Sequence, residues 1–495
     1  MRSERAPTRS EILGILRRSF TTVEREYTDL ALDVRGQLPA DLTGVLFRNG
    51  PGRMERGGHR YGHLFDGDGH VCRFEFDRGT VRYTNRFVRT PFYEKEERAG
   101  HILYRGLGTN RPGGLPANAF RLRFKNAANT HVVMHAGRLL ALYEGGPPYE
   151  LDPVTLETLG AWDLDGALVN RFDRFSRAIA PLMPFAAHPS VDRATGDLIG
   201  FGLLPGRPNR LLVYHVDHQG RCTERRAFRL GRSSFVHDAL VTENWMVFAL
   251  PRIDYGMAGL VFGYTSAAGS MSLHTERPMQ LLLVPRGGGE AVTFETLPGF
   301  VFHFAGGAEY GDGRLYANLV HHGRLPSLSG IEALVHPDEG LGRLVRLESD
   351  PAGKTSRAIP LSEHAHELPR PAADGRRIFS CGVPAGRDLP FYSAVVATTL
   401  AADGRSAASV VRDFYPDLPG EPVPVDVDGA RLLLSLIYRA ETHRTELAVL
   451  HADDLSTVAV AALPHSLPPG FHGSWVGAGA PIGCATAGGG SAGCA

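Results

Sequence analysis

The chain has 495 residues, 43% of them hydrophobic, and its 53 basic side chains are balanced by 53 acidic ones. A neutral balance with no long run of one sign argues against nucleic acid as a partner and against a charged interaction tail. The five cysteines, Cys72, Cys222, Cys381, Cys484 and Cys494, are odd in number and form no CxxC pair, which argues against a disulfide scaffold or a zinc knuckle and fits a reducing cytoplasm.

The N-terminal MRSERAPTRSEILGILRRSF is arginine-rich but has no apolar core of signal-peptide length, and Glu4 and Glu11 weaken a transit-peptide reading. Helical periodicity is confined to residues 8–20 and 94–104. From there short apolar runs dominate, fenced by Gly, Asp or Asn: VLFRNGPG, HVCRFEFDRGTVRYTNRFV, RLLALYEGG, DLIGFGLL, RLLVYHVDHQG, WMVFALP, RLYANLV, RRIFSCG, ARLLLSLIY and ELAVLHADD. Two stretches, 137–160 and 430–460, repeat the same order of strand, loop, strand, turn and strand. A strand–turn–strand unit repeated with so little helix predicts an all-β fold of radial blades; at roughly 40–65 residues per blade about six to eight fit, and a seven-bladed β-propeller is the choice. Irregular segments near 105–130, 171–186, 252–280 and 322–345 are expected to cap one face and cover a binding site. The division expected is an N-terminal extension with a short helix (1–29), one catalytic propeller (30–476) and a Gly/Ala-rich disordered tail (477–495). No apolar run reaches the roughly 18 residues that a membrane-spanning helix needs.

Four histidines stand out in FAAHPSVD (His188), SFVHDALVT (His237), VFHFAGGAEYGDG (His303) and PPGFHGSWV (His472), separated by 49, 66 and 169 residues. Zinc knuckles and HExxH helices carry their ligands within one or two turns, so only a closed tertiary fold brings these together. Neutral imidazoles favour Fe, Cu, Zn or Ni over Mg or Ca, and a centre built from them suits iron chemistry with molecular oxygen.

With LFRNGPG, HLFDGDGHV, FKNAANT, LLALYEGG, AHPSVDRATGDLIGFG, VHDALVTEN, FHFAGGAEYGDGR, HELPR, GEPV and GFHGSW in order, the sequence resembles the carotenoid cleavage oxygenase family, bacterial apocarotenoid oxygenases included, from about residue 30 to 476. The resemblance implies a propeller carrying one Fe2+ on His188, His237, His303 and His472, and an enzyme that uses O2 to split a C=C bond of a carotenoid or apocarotenoid into two carbonyl products. It also implies three glutamates on the outer nitrogens of the ligands: Glu144 to His237, Glu367 to His303 and Glu421 to His472. Thr130 in AANT matches a family position near the open coordination site. Departures are Gly306 where the family has Asn, Ala239 where it has an aromatic residue, and PVD after GEPV.

The physics behind that arrangement is general. An imidazole that binds metal through one nitrogen donates from the other, and a carboxylate there fixes tautomer and ring angle. Bland readings stand beside it. His364 and His366 read as loop residues flanking Glu367, and His321 and His322 as strand neighbours facing opposite sides. DGDGH at 66–70 reads as a tight turn and Glu309 and Glu363 as solvated turn residues.

Tyr143, Phe235 and Phe302 border the ligand positions and suit a hydrophobic conjugated substrate, although strand alternation places Phe302 and His303 on opposite faces. A stilbene-cleaving activity is the alternative, with Lys125 and Tyr93 available to activate a phenol. A propeller that binds a lipid or partner without chemistry is the remaining one. A carotenoid substrate further implies peripheral membrane contact, for which YGMAGLVFGY (255–264) and PLMPF (181–185) are the candidate segments.

Overall fold

The computed structural model describes residues 8–479 apart from positions 193, 207, 325–339, 388–389 and 406. The tail beyond 479 and most of the 322–345 excursion therefore lie outside the described residues.

Seven four-stranded units ring a common axis. Blade 1 holds Gly44–Arg53, Asp68–Asp77 and Thr80–Phe87 with the C-terminal Gly473–Gly477 on its inner edge. Blades 2 to 4 begin on their inner edges with His131–His135, Ser190–Val191 and Leu240–Val241. Blades 5 and 6 share a seven-stranded sheet because the long strand Thr355–Pro371 pairs Arg343–Asp350 through its first half and Arg377–Val383 through its second. Blade 7 runs from Val423–Val427 to Thr457–Ala462. The ring closes through two clasps. Gly473–Gly477 pairs Gly44–Arg53 in the order Gly44↔Gly477, and Asp33–Gly36 adds to Thr457–Ala462 in the order Asp33↔Ala462. The clasps tie both chain ends into the ring, and the radial arrangement leaves only the outer strand of each blade as an outward-facing sheet edge.

Core packing follows the ring. Strands buried on both faces, such as Leu198–Leu204, read as continuous apolar runs, whereas the outer strand Cys222–Arg229 alternates between half-buried and exposed residues. Each of the seven blade interfaces has its own apolar cluster. Leu212, Tyr214 and Phe185 lie between blades 2 and 3, and Phe379, Leu433 and Leu450 between blades 6 and 7. An eighth cluster seats the N-terminal helix Arg9–Ser19 through Ile12, Ile15, Leu16 and Phe20 against Met54, Phe391, Leu418 and Tyr438. That helix begins with a capping box between Thr8 and Glu11.

The two echoing stretches are equivalent: 137–160 and 430–460 supply the outer three strands of blades 2 and 7. The second predicted helix is Pro91–Ala99, ending at Gly100 in the left-handed conformation. Three sequence expectations need correction. His364 and His366 lie within the strand Thr355–Pro371 rather than a loop, and Glu363 there rather than in a turn, because blades 5 and 6 share that strand. Segment 181–185 is no exposed patch: Met183 and Phe185 are fully buried, Phe185 against Gly200 and Tyr214 at the blade 2–3 interface. Glu309 is no solvated turn residue, since it ends the strand Phe300–Glu309 and accepts from Asn244 and Thr242.

Candidate metal centre and cavity

Each blade's inner edge sends one polar group to the axis. In blade order these are His472, His131, His188, His237, His303, Glu367 and Glu421, each within or just before its blade's inner strand. Inner strands are the only elements of a propeller that reach the axis, so residues far apart in sequence meet there.

His188, His237, His303 and His472 place one nitrogen each within 4.8 Å of one another. Nε2 of His237 stands 3.0 Å from that of His188 and 3.2 Å from that of His303. Nitrogens about 2.1 Å from one ion and at right angles to each other are separated by about 3 Å, so this spacing fits a shared cation. Burial, and the four other imidazoles around it (His237, His472, His303 and His131), push His188 far below the ordinary histidine range, which keeps it neutral. His472 is likewise lowered to about 3 by burial, against the pull of Glu421. His303 differs: against the lowering effect of burial, Glu367 holds it above the ordinary histidine range. Four imidazoles of this kind, once deprotonated, form a donor set that holds Fe, Cu, Zn or Ni.

The outer nitrogens have distinct partners. His237 Nδ1 is 2.9 Å from Glu144 Oε1, His303 Nδ1 is 2.6 Å from Glu367 Oε2, and His472 Nδ1 is 2.9 Å from Glu421 Oε1. The fourth, His188, faces no glutamate; Asp238 Oδ1 is 4.0 Å from its Nδ1, and Asp238 accepts instead from the backbone N–H groups of Ala239 and Phe304.

Glu367 sits at a register break and is followed by Leu368 in the left-handed region at φ 52, a conformation that costs a non-glycine residue about 1 kcal/mol or more. The strand of His303 is broken twice, between Val301 and Phe304 and between Phe304 and Gly307. Those breaks overturn the alternation expected from sequence: Phe302 and His303 both line the same cavity, their rings 5.9 Å apart. They also explain Gly306, whose φ of +95 suits glycine.

Several contributors escaped the sequence reading. Both Glu367 oxygens are engaged, because His322 Nε2 lies 2.6 Å from Oε1. His321 turns away to the Pro298 carbonyl. Glu421 is fully buried and pairs with Arg48, lies 3.7 Å from Arg370, and accepts from the Gly473 N–H. Burial raises the Glu421 carboxyl, but the arginines and His472 outweigh it and hold it below the usual range. His131 donates from Nδ1 to the carbonyl of Ala187, the residue before His188. Arg48 and Arg370 stand inside the quoted LFRNGPG and HELPR motifs, so a signal was present, whereas nothing around His131 or His322 marked them.

A cavity of about 520 Å³ opens above the cluster. Thr130, Tyr143, Phe235 and Phe302 line it together with His237, His303 and His472. Phe235 stacks on His237 at 6.3 Å and Phe302 meets it edge-on at 5.2 Å. Leu16 and Phe20 of the N-terminal helix, with Phe391, Phe471 and Leu418, complete the apolar wall. Lys125 also reaches the cavity, but its ammonium is bound to Asp68 at 2.7 Å, Glu96 at 2.9 Å and the Tyr61 hydroxyl at 2.9 Å. Tyr93 does not join the lining and stacks on Phe87 instead. His366 bonds Ser380, Glu363 is exposed, and Asp66 of DGDGH is buried where it accepts from Leu107, Gly108 and Thr109.

Residues 20–477 match the family model described as retinal pigment epithelial membrane protein, RPE65. Apocarotenoid-15,15'-oxygenase of Synechocystis is 33% identical over 479 residues, covering 92% of this chain and 95% of its own length. Isoeugenol monooxygenase of Pseudomonas nitroreducens is 27% identical, covering 92% and 96%, and resveratrol cleavage oxygenase 1 of Aspergillus fumigatus is 28% identical, covering 90% and 92%. The crystal structure of cobalt-substituted Synechocystis ACO superposes with a TM-score of 0.86 at 30% identity, covering 96% of this chain and 100% of that one.

Proposed function

The chain belongs to the RPE65 family of carotenoid oxygenases, and from that premise we propose that it is a non-haem iron(II) dioxygenase cleaving one C=C bond of an apocarotenoid or carotenoid. The observation that carries this reading is the four-imidazole cluster forming the floor of an apolar, aromatic-walled cavity. A sugar or phosphate substrate would leave such walls unmatched, whereas a conjugated chain matches them.

His188, His237, His303 and His472 would hold the ion, with Glu144, Glu367 and Glu421 fixing three of the rings and placing negative charge near it without binding it. Iron(II) there supplies activation of dioxygen, giving two carbonyl products with no external reductant. Phe235, Phe302 and Tyr143 flank the bond to be cut, and Thr130, whose hydroxyl lies 3.2 Å from Asn129 Oδ1, limits where oxygen or substrate can sit. The apolar walls exclude water, and no general acid–base pair is required of the side chains.

The alternative, cleavage of a hydroxylated stilbene, draws on the isoeugenol- and resveratrol-named relatives. Lys125 would serve it, but its three existing contacts leave it poorly placed to meet a phenol. A non-catalytic propeller is the third reading.

A lipid-soluble substrate needs a lipid-facing entrance. Phe120, Met257, Phe262 and Tyr264 are exposed, and the Phe120 and Phe262 rings pack at 5.5 Å. Arg105 ties the two loops together from beneath through the carbonyls of Arg121, Leu260 and Thr265. This crest is the proposed site of contact with one membrane leaflet. No described helix is long and apolar enough to cross a membrane.

The test is iron-loaded protein offered an apocarotenal and a hydroxystilbene in parallel under labelled oxygen, with products read by mass. Labelled aldehydes from the apocarotenal support the proposal, from the stilbene the alternative, and stoichiometric iron with no product from either the non-catalytic reading.

A further inference from the structure

Apart from the hydroxyl protons of Tyr143 and Tyr392, the polar groups of the cavity are largely committed among the described residues. Lys125 has its three partners, Glu367 its two imidazoles, and Thr130 its contact with Asn129. Tyr392 accepts from the Gly342 N–H at 3.3 Å. Glu144 offers only acceptor oxygens.

His63 differs. It lines the same cavity, is 3% exposed, and packs edge-on against Phe65 at 4.4 Å. Its Nδ1 accepts from the Phe65 backbone N–H at 3.1 Å. A backbone amide can only donate, so Nδ1 carries no proton and the ring's single N–H lies on Nε2. Among the described residues Nε2 has no partner. Burial reinforces this by lowering the ring to about 4, which keeps it neutral. The segment passing beside it packs closely on the base of this residue, since a Cβ on Gly108 would come within 2.6 Å of the His63 Cβ.

We propose that His63 Nε2–H is a recognition subsite for an oxygen acceptor, a carbonyl or hydroxyl, borne on the end of an otherwise apolar substrate. It sets which end of the chain enters and disfavours a pure hydrocarbon, whose end would leave the N–H unpaired. The inference rests on the polyene reading above and adds the end group that the cavity selects.

The experiment compares wild-type, His63→Leu and His63→Gln. Each is titrated in metal-free form with an apocarotenal and with a hydrocarbon polyene of equal length, read by polyene absorbance, and kcat/KM is measured with iron restored. In His63→Leu the aldehyde is expected to bind about 10-fold or more weakly, with the hydrocarbon within about 2-fold of wild-type and iron content unchanged. His63→Gln, which restores a donor near the Nε2 position, is expected to recover most of the aldehyde preference. Equal losses for both ligands, or no loss for either, overturn the subsite. Wild-type protein that binds neither polyene overturns the polyene reading and the subsite with it, whereas unchanged selectivity in a His63→Leu protein that binds both overturns the subsite alone.

Discussion

Glu367 Oε1 lies 2.6 Å from His322 Nε2 while its other oxygen lies 2.6 Å from His303 Nδ1, so one carboxylate orients a ring of the cluster and is itself held by a second histidine. Glu421 has a different support, two arginines and a backbone amide. The three carboxylates are alike in sequence logic but unequally restrained.

Removing His322 should therefore loosen Glu367 without touching the cluster directly. His322→Leu is expected to weaken metal affinity on the order of 10-fold, as loss of an outer partner of a metal-bound histidine usually does. Competitive chelator titration reads it, and an affinity equal to wild-type would show that His303 and Glu367 hold each other unaided.

The cluster histidines and their partners should separate cleanly in severity. His237→Ala is expected to abolish iron loading and activity, and Glu144→Gln to reduce them about 10–100-fold. Metal analysis of the purified variants decides it. An iron-replete, active His237→Ala protein refutes the metal assignment.

Arg48 and Glu421 form a buried ion pair, with 4% and 1% of their side chains exposed. Arg48→Met removes the nearer cation and leaves Glu421 with Arg370 at 3.7 Å and the Gly473 N–H, so the expected cost lies below the about 3–5 kcal/mol of a fully stranded buried charge. Double substitution with Glu421→Gln should return part of that loss, and chemical denaturation of the metal-free proteins measures both.

Acid should destabilise the fold well before ordinary carboxylates titrate. Burial lowers His63 from 6.5 to about 4 and His70 from 6.5 to about 3. The unfolded chain takes up protons near pH 6.5 that the native state refuses, so these rings contribute fully above that pH. Their contribution declines as pH falls toward 4 and 3, by about 1.4 kcal/mol per pH unit for each. Thermal unfolding of the metal-free protein from pH 7 to 4 should show a falling Tm, with a shallower slope in His70→Gln.

Liposomes offer a check on the exposed crest. Amide exchange should slow at 257–264 and around Phe120 on lipid addition and stay unchanged at 181–185, whose Met183 and Phe185 are buried. Phe120→Ser with Phe262→Ser should abolish the protection.

Motif chemistry and strand periodicity are local properties, and the sequence alone determined what depends on them. These were the all-β repeat, the equivalence of 137–160 with 430–460 and the four histidines, while the three glutamates that face His237, His303 and His472 came from the family resemblance of their motifs. Tertiary structure alone decided what depends on ring closure and on broken registers. His131 and His322 looked like ordinary strand residues until the axis brought them beside Ala187 and Glu367. Phe302 and His303 share a wall because two register breaks cancel the alternation of that strand. Segment 181–185, apolar enough to suggest a membrane face, fills a blade interface instead. An apolar run does not state whether protein or lipid will cover it, and that is fixed only when the neighbouring blade arrives.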